Sequence, residues 1–153
     1  MMTRLKIRRH LKYRNLVKAL KKITMRALLF VLISFIALTA FTSGLLIISS
    51  PDGGGLMNLQ LSLLKNSPFK NFLIPGLVLA VMVGGTNLLA VFFNIQRAAS
   101  RYNWAMAGGL ILSVWIIAQM ILLSAASWLQ FVYLGIGLLV ILIAYQLKGK
   151  WAV

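Results

Sequence analysis

A chain of 153 residues with one carboxylate side chain, Asp52, one histidine, His10, and no cysteine holds little with which to do acid–base, metal or thiol chemistry. Paired-carboxylate catalysis lacks its second member, which removes most hydrolase mechanisms. Asp52 sits in Pro51-Asp52-Gly53, where an Asp side chain is expected to bond nearby amides in a turn. Its functional alternatives are an external cation or a partner protein. His10 lies among Arg8, Arg9 and Lys12, and without a second histidine or a nearby carboxylate a metal site there would want for ligands. The lack of cysteine excludes disulfides, thiolate nucleophiles and thiolate zinc sites. No glycine loop of the phosphate-binding kind leads into a helix with a basic anchor, so nucleotide binding has no support. Neither a cofactor nor a metal is implied.

The remaining polar residues of interest lie inside apolar stretches. Asn87 is the most informative, because an amide in hydrocarbon needs a partner and commonly finds it on a neighbouring helix. Counting about 1.5 Å per residue from the segment ends puts Asn87 level with Ser34 and near Gly109 and Ser113. This layer is either a polar pocket for substrate or glue between helices, and packing is the commoner use. Gln119, nearer the other surface, carries the same pair of readings. Gly84-Gly85 would serve as a hinge or as a close-packing surface, and Ala105-x-x-x-Gly109 has the spacing of a helix contact face.

The elements that must position these residues follow from hydropathy and charge. At 61% hydrophobic residues and a mean hydropathy of +0.92, the chain is poorly suited to a soluble domain and well suited to lipid. Four spans are predicted, at about 25–48, 69–96, 102–123 and 128–147, giving an all-α, integral membrane four-helix bundle with an N-terminal basic amphipathic helix. The arm, residues 1–24, gathers Leu5, Tyr13, Leu16, Val17, Leu20 and Ile23 on one side, interrupted by Lys6 and Arg9. It is expected to lie on the membrane with Arg4, Lys6, Arg8, Arg9, Lys12 and Arg14 at anionic headgroups. A disordered basic tail that only enforces orientation is the alternative. The first span is longer than the apolar core of a signal peptide, which favours an uncleaved anchor.

Ser49 to Gly55 must form a loop, since it contains Pro51 and three consecutive glycines. Leu56–Leu64 fits a short interfacial helix better than a strand with unpaired edges. Ser67-Pro68 resembles a helix start for the second span, with Pro75-Gly76 bending it. Ser124–Ser127 supplies a short turn, and residues 148–153 a short tail.

Sixteen Lys and Arg residues face one acid, for a formal charge of +15. Nucleic acid binding is a conceivable use of such charge. The distribution favours membrane lipid instead, because ten of the sixteen fall between Arg4 and Arg26, directly before an uncharged run. With the N-terminus inside, the inner face carries fourteen basic residues, including Arg97, Arg101, Lys148 and Lys150, and the outer face only Lys65 and Lys70. Both termini are therefore expected in the cytoplasm. Tyr102, Trp104, Tyr145 and Trp151 fall near that boundary, and Phe69, Phe72, Trp128 and Tyr133 near the other.

From Ser50-Pro51-Asp52-Gly53 through Leu61-Ser62-Leu63-Leu64, Ser67-Pro68-Phe69 and Phe72-Leu73-Ile74-Pro75-Gly76, with Trp115-Ile116 and Gln119 later, the chain resembles small, uncharacterised four-span bacterial membrane proteins. The resemblance implies a bundle in the bacterial cytoplasmic membrane, without an established activity. Small multidrug-resistance transporters are similar in size but rely on a membrane-embedded glutamate, which is missing here, and quinone-linked thiol oxidoreductases require cysteines. The expected function is non-enzymatic: an interaction or accessory subunit touching anionic lipid, with a membrane-protein partner or a second copy. A transporter or channel subunit using the Asn87 layer is the alternative, and a lipid-modifying enzyme is weaker still.

Overall fold

No proline or glycine interrupts residues 2–43, and the first helix runs unbroken over Met2–Ser49. The computed structural model describes residues 2–56, 58–122 and 127–149, with the side chains of residues 2–7 and 9 left out. Arm and first span are thus one helix, α1, of 48 residues, about 72 Å long at about 1.5 Å per residue. Hydrocarbon takes only about 20 residues of it. Every described side chain from His10 to Thr24 is exposed, and Met25 is the first packed against the core.

Three further helices complete the bundle: α2 (Leu73–Ile95), α3 (Arg101–Leu122) and α4 (Trp128–Leu147). With α1 they are the four helices, among the described residues, that are long and apolar enough to cross a membrane. No strand occurs there either. Only 28–33% of each hydrophobic window is buried inside the protein. Leu28, Val31, Leu38, Val81, Val114, Ile121 and Leu142 all point outward. Surface of that extent and continuity requires lipid, so the chain is a multi-pass membrane protein.

The helices alternate in direction. Gly44 meets Ala80 and Gly84 meets Phe41, so α1 and α2 run antiparallel. A Cβ on Gly44 would come within 2.5 Å of the Ala80 backbone nitrogen, and one on Gly84 within 2.9 Å of Phe41 Cα. Small residues let the two backbones touch. Phe93 stacks on Trp104 at 5.4 Å between α2 and α3, and Phe35 on Tyr133 at 6.1 Å between α1 and α4. Gly109 lies against Gly137, a Cβ there falling 2.8 Å from the Gly137 carbonyl oxygen. That contact makes Gly109 part of the packing surface between α3 and α4.

Two expectations for the second span need correction. Its helix begins at Leu73 rather than Phe69: Ser67 Oγ accepts the Phe69 N–H at 3.3 Å but closes only a turn, and Phe72 is buried with its N–H donated to Pro51 O at 2.9 Å. Pro75 falls in the first helical turn, where a missing N–H costs no bond. The irregularity comes later, as a π-helix over Val78–Gly85 that contains Ala80 and Gly84. Among the described residues of Leu56–Leu64, likewise, the helical part is one 3-10 turn, Leu61–Leu64, instead of a longer interfacial helix.

The ends of the helices are closed locally. Past α2, Ala98 N–H bonds to Phe93 O at 3.0 Å and Arg97 N–H to Asn94 O at 3.1 Å, with Arg97 at φ 51 where glycine is usual. At the start of α4, Ser127 Oγ accepts the Leu129 N–H at 3.3 Å while Gln130 Oε1 accepts the Ser127 N–H at 3.0 Å, a capping box. Leu123, Ser124, Lys150 and Trp151 lie outside the described residues.

Candidate functional site

The Asn87 layer is a sealed contact. Asn87 is 0% exposed; its Nδ2 donates to Val83 O at 2.9 Å, one turn back, and to Gly108 O on α3 at 3.4 Å. The second bond is long and weak. Asn87 Oδ1 is buried without a donor, and a Cβ on Gly108 would sit 2.6 Å from it. Ser113 Oγ, also buried, donates to Gly109 O at 2.8 Å in its own helix. Ser34 is half-buried on α1. No hydrogen bond joins the three, so the structure brings Asn87 onto α3 without making a shared polar pocket.

The arm residues stand apart from this layer. Arg8, Lys12 and Arg14 are exposed on α1 beyond the bundle, as is His10. Arg4, Lys6 and Arg9 are headgroup candidates whose side chains lie outside the described residues. At about 1.5 Å per residue, Arg14 and Arg8 stand roughly 18 and 27 Å along the helix from Arg26. The Debye length is about 8 Å in physiological salt. On a straight α1, Lys21 and Lys22 lie within one such length of Arg26 while Lys18, at about 12 Å, and the more distal cations do not, so these would approach a charged surface at the level of Arg26 only if the helix tilts or bends.

Asp52 does not organise its turn as expected. The turn is closed by the Gly53 N–H bonding to Ser50 O at 3.1 Å, with Gly53 at φ 84 and a Cβ there excluded by the Leu59 carbonyl oxygen. Among the described residues no side-chain hydrogen bond to Asp52 contributes.

What the sequence reading missed is a cavity of about 280 Å³ at the loop end of the bundle, opposite the arm. Ser43 and Ile47 of α1, Leu79 of α2, Trp115 and Gln119 of α3, and Tyr133 of α4 supply walls. Leu59, Leu63, Leu64, Ser67, Phe69 and Phe72 close it from the loop. Its walls are mostly apolar, with a few hydroxyls and two amides. The indole N–H of Trp115 is buried and has no acceptor. Gln130 also lines the cavity, its Oε1 engaged in the capping box. Two signals in the sequence pointed here: a loop with eight large apolar residues, and Trp115 and Gln119 four apart on one helical face.

Compared with protein families, with curated proteins and with solved structures, the chain matches none.

Proposed function

We propose that this protein is a non-enzymatic interaction or accessory subunit of the bacterial cytoplasmic membrane, with both termini in the cytoplasm and its basic arm engaging anionic lipid. The observation that carries the reading is the division of α1. Beyond Met25 it packs into a bundle whose buried polar residues, among those described, are Asn87, Ser113 and Gln130, none of which titrates near neutral pH. Before Met25 it is an exposed helix bearing Lys and Arg with Tyr13, Leu16, Val17, Leu20 and Ile23. Each cation near an anionic leaflet contributes roughly 1 kcal/mol, reduced by screening. The fourteen-to-two distribution of basic residues supports the orientation.

The test uses the absence of native cysteine. An environment-sensitive fluorophore on Leu16→Cys, in nanodiscs, should shift to an apolar signal with anionic lipid and lose that shift as salt rises. Equal signals in anionic and zwitterionic nanodiscs contradict the lipid-contact reading. The sealed setting of Asn87 supports packing over transport. Saturable uptake into vesicles that Asn87→Leu abolishes, with stability preserved, would replace the accessory reading by the transporter one.

A further inference from the structure

We infer that the loop-end cavity is a binding site for one acyl chain of an anionic glycerophospholipid from the adjoining leaflet. The inference goes beyond the accessory reading and rests only on the chain's spanning the membrane, not on its orientation or on the arm.

Size and chemistry select the occupant. If a methylene takes about the 30 Å³ of a water molecule, 280 Å³ holds roughly nine of them. A helix about 10 Å across does not fit such a space. Leu59, Leu63, Leu64, Phe69, Phe72, Leu79 and Ile116 offer the wall that a hydrocarbon chain requires. The lining holds few polar groups, among them the Ser43 and Tyr133 hydroxyls and the Gln119 amide, which can bond an ester at the head of the chain.

The charges of the loop that closes the cavity supply the preference for an anion. Lys65 directly follows the lining residue Leu64, and Lys70 directly follows Phe69; both are exposed. Asp52 is held in the same loop through Pro51, whose carbonyl accepts the Phe72 N–H, but no ion pair joins it to either lysine among the described residues. Two cations against one acid leave that loop positive beside an apolar cavity. That arrangement complements a phosphate with a fatty chain beneath it.

The test reads Trp115 directly. In the full chain carrying Trp104→Phe, Trp128→Phe and Trp151→Phe, Trp115 is the remaining tryptophan. Phosphatidylglycerol brominated along one chain is titrated into the detergent-solubilised protein. Expected is saturable quenching at one lipid per chain, reversed by unbrominated phosphatidylglycerol. Ser43→Phe, which fills the cavity, should abolish the saturable part. Lys65→Gln with Lys70→Gln should weaken phosphatidylglycerol several-fold and leave zwitterionic lipid unaffected. Quenching that rises linearly without saturation, and that unbrominated lipid fails to reverse, overturns the site. Should Ser43→Phe fail to fold, the reversal experiment on the unfilled protein still decides. Equal affinity for anionic and zwitterionic lipid overturns the role given to the lysines. Crosslinking of two copies through Ser43→Cys, with no quenching, assigns the cavity to self-association and overturns the lipid.

Discussion

Gly108→Ala places a methyl group 2.6 Å from Asn87 Oδ1 and 2.9 Å from its Cγ, inside any normal contact distance. The Asn87 side chain has nowhere to go, being fully buried and tied through Nδ2 to Val83 O. Overpacking of this kind costs about 1–3 kcal/mol. Asn87→Ala has a different cost: it loses an interhelical bond averaging about 0.6 kcal/mol in membranes and leaves a small void, but it also removes an unsatisfied buried oxygen. These terms oppose one another, so Asn87→Ala alone should cost less than Gly108→Ala. In the double variant the new methyl enters the space the amide vacated, so the pair should cost little more than Asn87→Ala alone. The coupling is then about 1–3 kcal/mol, read from denaturant-driven unfolding of all four proteins in mixed micelles. Costs that add within about 0.5 kcal/mol would refute the claim that Asn87 is packed against α3.

Ser127→Ala removes the capping hydroxyl of α4 and should destabilise by about 1 kcal/mol in the same assay, with Ser127→Thr restoring most of it. Gly44→Val drives a side chain into the Ala80 backbone, where no rotamer relieves it, so the monodisperse fraction after detergent extraction should fall sharply, whereas Gly54→Ala, with nothing within 4 Å, should extract like the unmodified chain.

The helical architecture was legible because each span declares itself by length, apolar content and flanking charge, and because lipid admits only helices or closed barrels and apolar runs of about 20 residues suit a helix. Trp128–Leu147 needed nothing beyond these signals. The start of α2 was misread because Ser67-Pro68 is a good local helix start, while a tertiary contact between Phe72 and Pro51 keeps the chain turning until Leu73. The π-helix of Val78–Gly85 was not legible: Gly84-Gly85 advertises small size, but what the size is for depends on Gly44 and Phe41 across the interface. The same holds for the candidate site. Asn87 was found by its chemistry, yet whether an amide lines a pocket or seals a contact is decided by Gly108 on another helix. The loop-end cavity draws walls from four helices and a loop, and no single segment carries its pattern.

The central claim, a four-span protein with arm and C-terminal end on the cytoplasmic face, is tested most directly by labelling in intact cells. The chain has no cysteine, so Gly54→Cys in the open loop and Lys18→Cys on the arm each give a unique thiol. A membrane-impermeant maleimide should modify the Gly54→Cys protein from outside, and the Lys18→Cys protein only after the membrane is permeabilised. The reverse pattern would contradict the orientation, and labelling of both proteins in intact cells would contradict the separation of arm and loop by a membrane.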